Sequence, residues 1–153
     1  MFKGNRTFFL LLGTGFGSGY FSPAPGTAGT VVGIYFFWCF SKFSPLLYLI
    51  TLLSFIFLSA WIADGAEKIF QQKDARTIVI DEIAGFLVTM LWVPFTLINV
   101  GIGFFLFRLL DILKPYPAGW IDRNLSGGWG IVLDDVAAGI YANLILQGIV
   151  HWM

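Results

Sequence analysis

The chain has 153 residues, 58% of them hydrophobic and only 12% charged, and its mean hydropathy is +0.82. Soluble domains average roughly 45–50% apolar and about 25% charged, so the composition excludes an ordinary soluble domain and predicts one integral membrane domain, residues 1–153. Nine basic residues balance nine acidic ones, which leaves no electrostatic footprint for nucleic acid.

Lys3 and Arg6 precede a short apolar run, Thr7–Leu12, that is too brief for the core of a signal peptide. Residues 13–30, GTGFGSGYFSPAPGTAGT, are rich in glycine and proline, and helix is not expected through most of them. Thr27 or Thr30 can cap a helix that runs through Val31–Phe40. Leu46–Ala63 is long enough for one hydrocarbon core, and a polar stretch, Asp64–Arg76, follows it. Arg76–Val93 and Leu97–Lys114 read as two more spans hinged at Pro94, then Pro115–Gly130 as a loop and Ile131–Trp152 as a last span. The expected fold is all-α: a polytopic helical membrane protein of about four to five apolar helices with a Gly/Pro-rich N-terminal segment.

With a hairpin at Pro94, eight of the nine basic residues fall on one membrane side and only Lys42 on the other. The positive-inside rule makes that side cytoplasmic. Two acidic pairs, Asp81-Glu82 and Asp134-Asp135, land there too, each at the end of an apolar segment. Carboxylates at membrane depth are costly and by default indicate a functional site. They suit Mg²⁺, which takes oxygen ligands and keeps room for substrate phosphate oxygens. Either pair alone would also suit a solvated helix N-terminus, favoured by the helix dipole.

Adjacent helical residues point about 100° apart, so each pair is expected to offer one inward ligand. Asp81 shares a stripe with Ala84, Gly85 and Val88, and Asp135 with Ala138, Gly139 and Ala142. Small residues permit close helix contact, so the two stripes are expected to pack together. Arg108, Asp111 and Lys114 follow at helical spacing and can hold an anion, with Asp111 orienting the donors or joining the metal ligands. Asp122, Arg123 and Asn124 add donors and acceptors in the next loop. Cys39 is the only cysteine and His151 the only histidine, which removes most thiol and imidazole chemistry. Metal-assisted phosphoryl transfer to water remains.

These residues resemble one family over nearly the whole length. The resemblance runs through Gly15-Phe16-Gly17-Ser18-Gly19, Pro25-Gly26-Thr27, Ile80-Asp81-Glu82, Phe107-Arg108, Asp111, Lys114-Pro115, Asp122-Arg123-Asn124 and Asp134-Asp135. The chain resembles the phosphatidylglycerophosphatase A family of bacterial membrane enzymes. The resemblance implies Mg²⁺-dependent hydrolysis of the terminal phosphomonoester of phosphatidylglycerol phosphate, a phospholipid substrate, and an inner-membrane, multi-pass location with the site facing the cytoplasm. Asp81, Glu82, Asp134 and Asp135 then become the metal-binding and catalytic carboxylates, joined by Asp111. Arg108, Lys114, Asp122, Arg123, Asn124 and Thr27 become substrate-binding residues. The alternatives are a transporter or channel for protons or divalent cations, and an enzyme acting on another lipid phosphate. The oligomeric state is left open.

Overall fold

The computed structural model describes residues 5–152, so Lys3 and Met153 lie outside the described residues. Seven helices follow in order: α1 (Arg6–Gly13), α2 (Pro25–Phe40), α3 (Pro45–Phe70), α4 (Ile80–Thr89), α5 (Leu97–Leu113), α6 (Ala118–Asn124) and α7 (Gly127–Trp152), with a 3₁₀ turn at Ser18–Tyr20. No strand occurs among the described residues.

Local chemistry sets the starts. Ser44 accepts the Leu47 N–H and Pro45 occupies the first position of α3; Thr96 accepts the Asn99 N–H and opens α5. Pro25 opens α2 in the same way, so the helix begins inside the stretch expected to be irregular. Thr27 and Thr30 do not cap it: no side-chain cap is made, and Thr30 Oγ1 bonds back to the Gly26 carbonyl at 2.8 Å.

At the centre, α4 packs against α2, α3 and α7. The two small-residue stripes meet as expected. A Cβ on Gly85 would lie 2.8 Å from the Asp135 carbonyl, and one on Gly139 would strike the Gly85 carbonyl. Phe37, Phe86, Phe107 and Leu146 close the core around that contact. The hairpin is also present, since Gly85 faces Phe107 and Gly103 faces Met90, which runs α5 back along α4.

The helix count and two spans need correction. Among the described residues only α3 and α7, each of 26 residues, are long and apolar enough to cross a membrane; α2 is apolar but has 16, and α5, in place of the expected span Leu97–Lys114, has 17. The expected span Arg76–Val93 contains a helix of ten residues, Ile80–Thr89. Its early end is tolerated because distant side chains take up the freed carbonyls. Asn143 donates to Thr89 O at 2.8 Å and Leu91 O at 3.0 Å, Gln147 donates to Leu91 O at 3.0 Å, and Tyr48 donates to Leu87 O at 2.9 Å. Irregular backbone at membrane depth needs that kind of cover. On α3, Leu46, Ile50, Leu53, Phe57 and Trp61 form an exposed apolar stripe, which suits lipid and marks a membrane-associated protein.

Candidate active site

The first turn of α4 carries Asp81 and Glu82, while Asp134 and Asp135 lie about two turns into α7, which starts at Gly127 rather than near Ile131. The second pair is therefore no helix N-terminus. One oxygen each from Asp81, Glu82 and Asp135 lies within 4.8 Å of the others. The pairs thus contribute unequally: two ligands from α4 and one from α7. Asp134 turns the other way and its Oδ2 lies 2.5 Å from Lys114 Nζ.

Asp81, Asp134 and Asp135 are 7%, 4% and 3% exposed. Asp81 Oδ1, Glu82 Oε2 and Asp135 Oδ2 are all buried with no hydrogen-bond partner. Buried carboxylate oxygens without donors are costly unless something positive meets them. The same three side chains bring one oxygen each together, which fits a hard divalent cation, so this acidic cluster can hold a metal ion.

Fixed cations border the trio. From α5, Arg108 forms an ion pair with Asp111 and lies 4.0 Å from Glu82. Lys114 is not part of the helical face expected from its spacing. It ends α5 in the left-handed conformation, φ 45°, and that turn swings its side chain toward α7, with Asp122 also 3.3 Å away. Burial works against its charge, but the hydrogen bond it donates to Asp134 and the charges of Asp134, Asp122 and Asp135 outweigh it. The lysine pKa is held above its usual value.

A cleft of about 590 Å³ exposes the trio, Arg108, Asp111 and Lys114 together, roofed by the first turn of α2 at Gly26 and Thr27. The first amides of a helix lack intrahelical partners and favour anions. Gly26 leaves room for the Glu82–Arg108 approach, since a Cβ would lie 2.5 Å from Glu82 Oε1 and 2.9 Å from both terminal Arg108 nitrogens. Arg123 and Asn124 are not in the cleft wall: on α6 they bond back to the Gly119 and Trp120 carbonyls at 2.9 and 2.7 Å. The glycine run at residues 13–19 is also outside the cleft wall. Asp74 and Arg76, which the sequence pattern did not single out as site residues, do line it. Only their position seven and five residues before Asp81 hinted at this.

Carboxylates able to hold a cation beside fixed cations able to hold an anion, in an apolar helical scaffold, define a phosphate-handling membrane enzyme. Residues 11–150 match the family model described as Phosphatidylglycerophosphatase A. The chain is 38% identical over 143 residues to a protein of that name from Escherichia coli, covering 92% of this chain and 83% of that one. It is 37% identical over 149 residues to its namesake from Haemophilus influenzae, covering 94% and 89%. A Bacteroides thetaiotaomicron protein, provisionally named a phosphatidylinositol-3-phosphatase, is 36% identical over 155 residues, covering 94% of each chain. No solved structure matches. The chain belongs to the phosphatidylglycerophosphatase A family, a family of phosphoric monoester hydrolases.

Proposed function

We propose that this protein hydrolyses the terminal phosphomonoester of phosphatidylglycerol phosphate, releasing phosphatidylglycerol and inorganic phosphate. The observation that carries the reading is the convergence, in one cleft, of three carboxylates that each keep a buried oxygen without a donor, beside the Arg108 guanidinium. Asp81, Glu82 and Asp135 would hold Mg²⁺, which when bound supplies charge that polarises the phosphoryl oxygens. Arg108, kept in place by Asp111, presents a fork of donors to those oxygens. Gly26 and Thr27, in the first turn of α2, line the same cleft, and the free amides of a helix start favour an anion. Lys114 pairs with Asp134 and lies near Asp122, which offsets part of the negative charge that an incoming phosphate would meet. Arg123 and Asn124 serve the head group only by leaving their carbonyl partners.

The chain works as one domain in the bacterial inner membrane, crossing it more than once, with the cleft on the cytoplasmic side. The basic residues gathered at the cleft end support that orientation. A relative named for an inositol lipid keeps a second substrate open, another lipid phosphomonoester on the same scaffold.

The test is phosphate release by the purified protein in mixed micelles, with Mg²⁺ and with EDTA, from phosphatidylglycerol phosphate and from phosphatidylinositol 3-phosphate. Mg²⁺-dependent release from the first lipid is expected. Faster release from the second moves the substrate assignment. No release from either, with cation flux in proteoliposomes instead, replaces the enzyme by a transporter.

A further inference from the structure

Six of the seven carboxylates in or beside the cleft already have a task. Asp81, Glu82 and Asp135 form the oxygen trio, Asp134 and Asp122 hold Lys114, and Asp111 holds Arg108. Asp74 lines the same cleft, and among the described residues it has no cationic partner at ion-pair distance.

Its position is built rather than incidental. Asp74 and Arg76 are exposed and line the cleft, while Ala75, Ile78 and Val79 pack inward at 3%, 2% and 0% exposure. Three glycines clamp the back of this loop. The Val79 N–H donates to Gly13 O at 2.9 Å, and Gly29 lies under Val79, where a Cβ would come within 2.6 Å. Gly19 sits so close to the Thr77 carbonyl that no Cβ fits. Asp74 itself adopts a left-handed backbone, φ 47°, and its N–H donates to Glu67 Oε1 at 3.1 Å. A non-glycine residue persists in that conformation only where its surroundings over-determine it.

Hydrolysis of an alkyl phosphate needs a proton for the departing alcohol, because an alkoxide is a poor leaving group. The trio is proton-poor once it binds a cation. Lys114, whose pKa is raised, holds its proton too tightly to give it up. We propose that Asp74 is the general acid: its carboxyl gives a proton to the oxygen of the departing alcohol. The P–O bond to the head group breaks and its electron pair stays on that oxygen, which takes the Asp74 proton and leaves as the alcohol. The oxygen of one water forms the new bond to phosphorus, and the proton that water sheds restores the carboxyl. One water is consumed, and one alcohol and one inorganic phosphate are released. The electrostatics agree. Asp74 is an exposed residue, yet desolvation by the chain around it raises its pKa, Lys114 opposes, and Asp122, Glu67 and Asp111 reinforce the rise, with Lys73 and Arg76 the other charges on its own loop.

The proposal rests on the phosphomonoesterase reading, and its test separates the two. The intact protein is given phosphatidylglycerol phosphate and the analogue in which sulfur replaces the bridging oxygen, whose thiolate leaves without a proton. The wild type is expected to cleave both. Asp74→Asn is expected to lose roughly 100-fold or more in kcat on the oxygen ester while staying close to wild type on the sulfur ester. Asp74→Gly, which suits the left-handed backbone and should melt no lower than wild type, is expected to show the same split. Equal loss on both esters in a variant that melts like wild type overturns the proposal, as does full turnover of the oxygen ester by either variant. A wild type that cleaves neither ester removes the enzymatic reading itself and the proposal with it.

Discussion

Lys114 and Asp134 meet at 2.5 Å across the gap between the end of α5 and the middle of α7, although Lys114 must adopt a left-handed backbone to reach. The contact takes Asp134 away from the carboxylate trio and leaves Asp135 alone to represent α7 there. Asp134 is 4% exposed, so Lys114→Met would strand a buried charge. The expected cost is about 3–5 kcal/mol, read by unfolding in detergent, and adding Asp134→Asn should recover much of it. The pH dependence has a definite sign. A raised lysine pKa means that the stabilisation is complete below the ordinary value of about 10.4 and is lost only at higher pH. A wild-type stability that falls with Lys114 present, but not with Lys114→Met, between neutral pH and that value would contradict the pairing.

The trio should behave differently from Asp134. Asp81→Asn, Glu82→Gln and Asp135→Asn each remove a charge from a cluster of like charges, so without metal the variants should melt at or above the wild-type temperature. Binding is read without any turnover. Mg²⁺ or Mn²⁺ at 100 times its Kd should stabilise the wild type by about 2.7 kcal/mol and the trio variants far less. Activity should fall by orders of magnitude in the same variants, since metal charge on a transferring phosphoryl group is worth several kcal/mol. Equal metal stabilisation of wild type and all three variants would remove the metal site.

Gly26→Ala separates the cleft from the fold. The new Cβ meets only the ends of the Glu82 and Arg108 side chains, which can move. Alanine is also the better helix residue by about 1 kcal/mol, so stability should hold or rise. Turnover should nevertheless fall by about 10- to 100-fold, because a displacement of the order of 1 Å in a positioned group has that effect. Unchanged kcat and KM would show that the Glu82–Arg108 approach is not used.

What could be read from the sequence follows from how local each feature is. The hairpin at Pro94, the one-sided charges and the two small-residue stripes depend on spacing along single helices, and the structure has the hairpin and the stripe contact. The end of α4 does not. Ile80 to Val93 is almost continuously apolar because the turn after Thr89 is itself buried, and its carbonyls are met by Asn143, Gln147 and Tyr48 from elsewhere in the chain. The glycines of residues 13–30 read as a break in helix but act through absent bulk, under Glu82, Val79 and Thr77. Helical spacing placed Lys114 with Arg108 and Asp111, and a single left-handed residue undid that. Asp74 had no apolar context to distinguish it from Lys73 or Asp64, so only the folded loop places it in the cleft wall.

Orientation in the bilayer can be checked by chemical labelling. Helix α3, 26 residues and therefore about 39 Å long, separates two ends of the molecule. At one end Lys42 sits over the Trp38 ring at 3.5 Å and Trp92 donates to the Pro45 carbonyl. At the other, Asp64 faces Gly127 at the start of α7, close to Ser126, and the Lys73 loop borders the same recess. Cys39 is the only native thiol, so Cys39→Ser gives a clean background. In intact cells a membrane-impermeant maleimide should label Lys42→Cys and should reach Lys73→Cys and Ser126→Cys only after the membrane is opened. Basic residues cluster at the cleft end, and that asymmetry sets the expected direction. Labelling of position 73 or 126 from outside would turn the molecule over and put the cleft on the wrong side for a substrate made in the cytoplasmic leaflet. Labelling of position 42 together with either of the others would mean that α3 does not cross the bilayer at all.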